Sequence, residues 1–156
     1  MAGRVIDKDE AALRDRQMLE LLNELRVALP GVQILFAFLL TVPFAQGFRR
    51  VTETQKNLYY ATLMATCAAT ICLIAPSATH RLRFHKRDRA YLIETANSYL
   101  IAGLAFLAIA IVLALILISD FLYNGVVVWL APLLLALLLL GLWFVRPLVR
   151  RGSSGP

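Results

Sequence analysis

Four long stretches of this chain contain no Asp, Glu, Lys or Arg, and they constrain its fold more than any other feature. They are Val32–Phe48, Leu58–Ala78, Thr95–Ser119 and Asn124–Val145. Each is close to the ~20 residues that an α-helix needs to cross the ~30 Å hydrocarbon core of a bilayer. A water-soluble chain of 156 residues with four such helices would have too little polar surface to face water. The pattern therefore predicts an all-α integral membrane four-helix bundle.

Composition and charge agree with a membrane protein. Hydrophobic residues make up 60% and charged residues 17% of the chain, against about 45–50% and about 25% in soluble domains. The net charge of +6 comes from basic residues in short segments beside the apolar stretches. Such placement is typical of topology signals and contacts with lipid headgroups. We therefore expect no nucleic-acid partner.

The distribution of Lys and Arg predicts the orientation in the membrane. If the N-terminus is cytoplasmic, thirteen of the sixteen basic residues lie on the cytoplasmic side. This bias follows the positive-inside rule and predicts that both termini are cytoplasmic. We expect the basic residues of the middle loop to contact anionic headgroups. They are Arg81, Arg83, Lys86, Arg87 and Arg89.

The chain divides into three predicted regions. Residues 1–30 form a cytoplasmic arm whose leucines recur at helical spacing between charged residues, which predicts an amphipathic helix. Residues 31–145 form the transmembrane domain, with spans at about 31–48, 57–78, 95–119 and 124–145. Pro30 and Gly31 predict a break or bend between the two regions. Residues 146–156 form a cytoplasmic tail that ends in a linker-like segment.

Polar residues inside the first two spans are the candidates for lining a pore or cavity. In span one they are Gln33, Thr41 and Gln46, and in span two they are Thr62, Thr66 and Thr70. Amide side chains in hydrocarbon need hydrogen-bonding partners, so we expect the glutamines to face other helices or water. Pro43 should leave a backbone carbonyl without its helical donor and kink span one near its outer end.

Small residues of span two predict a close helix–helix contact. Ala61, Ala65 and Ala69 are spaced four residues apart, which allows two backbones to approach. Either span one of the same chain or a second copy could supply the other side of this contact. Spans three and four are apolar throughout, and we expect them to form an antiparallel hairpin that faces lipid and turns at residues 120–125.

No enzymatic, metal or cofactor motif is present in the sequence. We therefore expect a non-enzymatic protein without a cofactor or bound metal. The four spans also lack the intramembrane carboxylate that proton-coupled carriers use, which argues against an antiporter.

The segment from Leu21 to Leu40 resembles an uncharacterised bacterial family of small four-span membrane proteins. The resemblance rests on the run LLNELRVALPGVQILFAFLL, on the Pro43-Phe44 pair and on Ala75-Pro76 and His80-Arg81. It implies a multi-pass protein of the bacterial cytoplasmic membrane, in a family whose members are sometimes labelled sodium:proton antiporters. It also implies that the functional residues lie in its hallmark segment. These would be Asn23, Glu24 and Arg26 at the inner mouth and Gln33 just inside it.

Three hypotheses follow for the function. The first is a self-associating bundle in which span one lines a small ion-conducting pore or cavity. The second is an accessory or scaffold protein that docks a membrane-protein partner, or a second copy, through its N-terminal helix. The third is a cation/proton antiporter.

Overall fold

The computed structural model describes residues 2–82 and 89–145, and within these residues it consists of helices and short connections. Helix α1 is Ala2–Thr41, α2 is Glu53–Leu82, α3 is Arg89–Leu122 and α4 is Val127–Leu139. Two 3-10 turns, Val42–Phe44 and Gln46–Arg50, connect α1 to α2. A π-helical segment, Leu140–Val145, continues α4. The predicted all-α fold with four helices is confirmed.

Three helical segments are long and apolar enough to cross a membrane. They are Asn23–Phe44, Glu53–Ala78 and Thr95–Leu122. The fourth apolar helix, Val127–Trp143, is shorter. At a rise of ~1.5 Å per residue it extends to roughly 26 Å, somewhat less than the ~30 Å of a bilayer core. The structure therefore supports a membrane protein, while four passes remain a prediction.

Helix α1 continues without a break through Pro30 and Gly31, where the sequence predicted a break or bend. A proline inside a helix removes one hydrogen bond and crowds the preceding turn, but the flanking turns can hold the helix together when they are packed. The buried residues Leu25 and Val32 lie on either side of this point and belong to one core cluster. The predicted arm and span one are consequently parts of a single helix.

The most extensive packing in the molecule lies between α2 and α3. The buried positions of both helices are alternately three and four residues apart, the spacing of coiled-coil seams. In α2 they include Gln55, Tyr59, Thr62, Thr66, Ala69 and Leu73. In α3 they include Ala96, Leu100, Gly103, Leu107 and Ala110. Ser119, near the end of α3, is also buried. The two seams define an antiparallel pair of helices.

Gly103 allows α2 and α3 to approach closely. A Cβ atom at this position would lie 2.7 Å from Cγ of Leu73 and 3.4 Å from the backbone oxygen of Ala69. Both residues are fully buried, so neither has free space to move into. Only glycine fits at this point without a shift of one helix.

The small-residue face of α2 packs differently from the prediction. Ala65 and Ala69 are buried, but Ala61 is exposed. Positions four residues apart rotate by about 40° per step around a helix, so the Ala61 end of the row drifts off the seam. Ala69 of this face meets α3, since a Cβ atom at Gly103 would lie 3.4 Å from the backbone oxygen of Ala69.

Helix α1 packs on the α2–α3 pair, and α4 packs on α3 alone among the described helices. The predicted hairpin between spans three and four is present, and its turn contains Gly125 at φ +79°. This conformation is readily accessible to glycine. Many large side chains of α4 are exposed, including Trp129, Leu133 and Leu137, as expected for a helix that faces lipid.

We predict that Gly103→Ala lowers the free energy of unfolding by about 1–3 kcal/mol, because the added methyl group overlaps Leu73. Gly31→Ala is the matched control, since a Cβ at this helical position meets no atom within 4 Å. It should be neutral or stabilising by up to about 1 kcal/mol. Unfolding in mixed micelles with increasing SDS measures both values. Equal effects of the two substitutions would contradict the close contact.

Candidate functional site

Span one ends in a proline turn that is tied to α2. Pro43 has no amide hydrogen, so the backbone carbonyl of Leu39, four residues earlier, lacks its helical donor. The phenolic hydroxyl of Tyr59 donates a hydrogen bond of 2.8 Å to this oxygen. The ring of Tyr59 also meets Phe48 edge to face, with the ring centroids 5.2 Å apart. The freed carbonyl that Pro43 predicts is therefore satisfied by a buried tyrosine, and the regular α-helix ends at Thr41.

A second polar connection links the start of α2 to the end of α3. The amide of Thr52 donates to Oε1 of Gln55 at 3.0 Å, and the amide of Gln55 donates to Oγ1 of Thr52 at 3.2 Å. This reciprocal pair is a capping box that satisfies free amides at the helix N-terminus. The same glutamine donates from Nε2 to Oδ2 of Asp120 at 2.9 Å. One buried side chain thus caps α2 and holds it to α3.

The threonine stripe of α2 uses its hydroxyls inside its own helix. Thr62, Thr66 and Thr70 each donate a hydrogen bond of 2.8 Å to the carbonyl four residues earlier. Thr62 and Thr66 are fully buried in the packed bundle. A path for ions along this stripe would require water to replace the packing against these side chains.

The polar residues of span one lie on the outside of the chain. Gln33, Thr41 and Gln46 are all exposed, and the hydroxyl of Thr41 donates to the carbonyl of Phe38 at 2.7 Å. The hallmark residues Asn23 and Arg26 are exposed as well. These residues are not brought together with the threonine stripe, which faces the interior.

Most of these exposed residues fall on one continuous face of α1, which we call the outer seam. Its members are all exposed and alternate at intervals of four and three residues: Leu19, Asn23, Arg26, Pro30, Gln33, Ala37 and Leu40. Thr41 lies beside this seam, whereas Glu24 lies on a different part of the exposed surface. A seam with this spacing has the form of a helix–helix contact surface.

Gln33 lies within the apolar part of α1. It follows Arg26, the last charged residue before this segment, by seven residues, or roughly 10 Å along the helix. Its neighbours Ile34 and Phe38 are exposed apolar side chains. Its amide has no hydrogen-bond partner among the residues that the structure describes. A polar group with unused hydrogen-bonding capacity therefore faces the region where lipid chains would lie.

Only part of the charged-residue predictions falls on described residues. Arg16 and Glu20 of α1 form an ion pair, with Nε and Oε1 3.6 Å apart and both side chains exposed. Arg81 lies in the last turn of α2, and Arg89 is the first residue of α3. The side chains of both arginines lie outside the described part of the structure. Arg83, Lys86 and Arg87 lie outside the described residues, so the headgroup contact of the middle loop remains a prediction.

Sequence reasoning missed the residues that hold the bundle together at the Pro43 end. A Thr-x-x-Gln pattern at residues 52–55 is a recognisable capping-box signal. The hydrogen bond to Asp120 has no such signal, because it joins residues that are 65 positions apart. The role of Tyr59 could not be read from the sequence for the same reason.

The model of a family of unknown function, DUF6328, matches residues 7–147. No curated protein and no solved structure matches the chain.

We predict that Tyr59→Phe lowers the free energy of unfolding by about 1–3 kcal/mol, because it leaves the buried carbonyl of Leu39 without a donor. Tyr60→Phe is the matched control, since Tyr60 is 61% exposed and should tolerate the change. In a Pro43→Ala background the backbone amide can serve the same carbonyl, so the cost of Tyr59→Phe should fall. A double-mutant cycle in mixed micelles measures this coupling. An unchanged cost in the Pro43→Ala background would contradict our interpretation.

Proposed function

The chain belongs to the family of unknown function DUF6328, and we propose that it is a non-enzymatic membrane protein that self-associates through the outer seam of α1. The family gives no activity, so the proposal rests on the geometry of the chain. The observation that carries it is the exposed amide of Gln33 in the apolar segment.

An amide group in hydrocarbon is unfavourable unless it forms hydrogen bonds. Within the described residues, every buried side-chain nitrogen and oxygen has a partner. Gln33 differs because its side chain points away from the bundle. Because the described residues supply no partner, we infer that one comes from another molecule at the same depth in the membrane.

A parallel second copy supplies such a partner. An amide side chain contains both a donor and an acceptor, so Gln33 of one copy can bind Gln33 of another. Two-fold symmetry would place the two residues opposite each other at equal depth. Ala37 lies one turn further along the outer seam and is small enough for the helices to approach. Among the described residues, this face of α1 has no other helix packed on it.

The outer seam extends beyond the apolar segment into the predicted cytoplasmic part of α1. There it presents Leu19, Asn23 and Arg26 on an exposed surface beside the Arg16–Glu20 ion pair. The long side chain of Arg26 can turn toward water, which reduces repulsion between copies. We propose that both termini are cytoplasmic and that the membrane is the bacterial cytoplasmic membrane, as the basic residues and the family resemblance favour.

Ion conduction is a second candidate function. The ion path would then lie between copies of the chain and not within one copy. The hydroxyls of the α2 threonines are already bonded inside the chain. Gln33, Thr41 and Gln46 are exposed polar groups of span one, so they would line an axis shared by several copies. An accessory role remains the alternative, with a partner protein rather than a second copy on the outer seam.

We predict that Ala37→Cys forms a disulfide-linked dimer in membranes, in a background where the native thiols of Cys67 and Cys72 are replaced by alanine. Phe38→Cys is the matched control. It is exposed too, but it points about 100° away around the same helix. Mild oxidation followed by non-reducing electrophoresis compares the two. Equal cross-linking of both variants would indicate random collisions and contradict the seam.

We further predict that Gln33→Leu weakens self-association by about 1 kcal/mol, or roughly fivefold in the dissociation constant. Light scattering coupled to size exclusion in detergent gives the mass of the protein component over a range of concentrations. A mass of one chain at every concentration of the wild-type protein would rule out the proposal.

A variant that lacks residues 1–20 tests the accessory role. If the chain docks a partner protein through this segment, the variant should lose a co-purifying partner while the dimer remains.

Liposomes that contain the purified protein test conduction directly. Proton, sodium and potassium flux should exceed that of empty liposomes, and Gln33→Leu should reduce it together with self-association. If flux equals that of empty liposomes between about pH 5 and 8, where histidines and other near-neutral groups titrate, the conduction hypothesis is wrong.

A further inference from the structure

An apolar pocket lies at the Pro43 end of the bundle, away from the outer seam. It has a volume of about 370 Å³ and lies between the α1–α2 connection, the start of α2 and the end of α3. Its apolar lining includes Ala45, Phe48, Ile118 and Phe121. This size lies within the ~300–1,000 Å³ range of small-molecule sites.

The pocket offers little to a polar ligand. Gln55 is the one lining residue with a polar side chain. Its oxygen accepts a hydrogen bond from Thr52, and its nitrogen donates one to Asp120. Both polar atoms of this side chain are therefore engaged in the structure, and the remaining walls are apolar. Hydrocarbon is the chemistry that fits such a site.

Two arginines beside the pocket have no ion-pair partner in the described part of the chain. Arg49 and Arg50 lie between the lining residues Phe48 and Val51, and both are exposed. The third base at this end, Lys56, differs because its Nζ lies 2.6 Å from Oε1 of Glu53. Two unpaired guanidinium groups next to an apolar pocket match the phosphate and acyl chain of one lipid molecule.

We propose that this pocket binds one acyl chain of an anionic phospholipid whose phosphate group is held by Arg49 and Arg50. The pocket is open at the end of the apolar segments, where headgroups meet hydrocarbon. The arginines supply the charge that distinguishes an anionic headgroup from a zwitterionic one. The proposal does not depend on self-association, because no residue of the outer seam lines this pocket.

A tryptophan reporter at the pocket tests the proposal in the full-length protein. Phe121→Trp is introduced in a background in which Trp129 and Trp143 are replaced by phenylalanine. The protein is reconstituted into phosphatidylcholine vesicles with a minor share of lipid brominated on its acyl chains. The brominated lipid is either phosphatidylglycerol or phosphatidylcholine, and bromine quenches tryptophan fluorescence on contact. Leu133→Trp in the same background reports the bulk lipid, because this position on α4 is exposed.

Brominated phosphatidylglycerol should quench the pocket reporter more strongly than brominated phosphatidylcholine, whereas the Leu133→Trp reporter should show no preference. Each arginine should contribute roughly a fivefold preference for phosphatidylglycerol over phosphatidylcholine. The double substitution Arg49→Gln and Arg50→Gln should therefore remove this preference. Lys56→Gln is the charge-matched control and should leave the preference unchanged. Equal quenching by the two lipids, or a preference that survives the loss of both arginines, would overturn the proposal.

A second variant tests the pocket itself. Gly47 lines the pocket, and a Cβ at this residue would meet no atom within 4 Å. Gly47→Leu should therefore fill the space without disturbing the fold, and it should reduce quenching of the pocket reporter by both lipids. Unchanged quenching would show that the acyl chain lies elsewhere. Quenching that falls as the protein density in the vesicle rises would indicate that a second copy covers the pocket, which also overturns the proposal.

Discussion

The close approach of α2 and α3 at Gly103 holds the centre of the structure, because the other two helices pack on this pair. Lipid chains are as apolar as leucine, so helices in a membrane gain little from burying apolar surface against each other. Tight packing of small residues then becomes the main source of attraction. Gly103 packs against the backbone of Ala69 and the side chain of Leu73, and both of these residues are fully buried. Helix α1 adds to one side of this pair through Leu25 and Val32, and α4 adds to α3.

Hydrogen bonding explains how the ends of the bundle are fixed. In hydrocarbon, each backbone carbonyl without a donor is costly, and a proline creates one such carbonyl. At Pro43 the buried hydroxyl of Tyr59 reaches the carbonyl of Leu39 from another helix. Gln55 connects two helix ends in a similar way by capping α2 and binding Asp120. Gln55 also lines the apolar pocket, so one residue contributes both to the stability of the bundle end and to the pocket wall.

Much of the fold could be predicted from the sequence, and the failures have physical causes. Charge-free segments identified the helices, and the freed carbonyl at Pro43 was anticipated correctly. The continuity of α1 was not anticipated, because Pro30-Gly31 reads locally as a break while the stabilising contacts of Leu25 and Val32 come from other helices. The sequence predicts one contact face for Ala61, Ala65 and Ala69, because they are four residues apart. Residues at this interval shift gradually around the helix, and Ala61 is exposed. The pocket was invisible, since three separate segments of the chain form it.

The distribution of satisfied and unsatisfied polar groups separates residues that support the fold from residues available for interactions. The threonines of α2 stand out in the sequence as polar residues of an apolar span, and their hydroxyls form hydrogen bonds within their own helix. Gln33 is equally conspicuous, but its amide has no partner among the described residues and faces outward. Both kinds of residue look alike in a hydropathy pattern, because the pattern records polarity and not direction. The direction in which a side chain points depends on its position around the helix relative to the buried residues. On α1, Gln33 follows the buried Val32 by one residue and therefore points about 100° away from it. Among the described residues, Gln33 is therefore a polar group of the first helix that the packing of the bundle itself leaves without a hydrogen-bond partner.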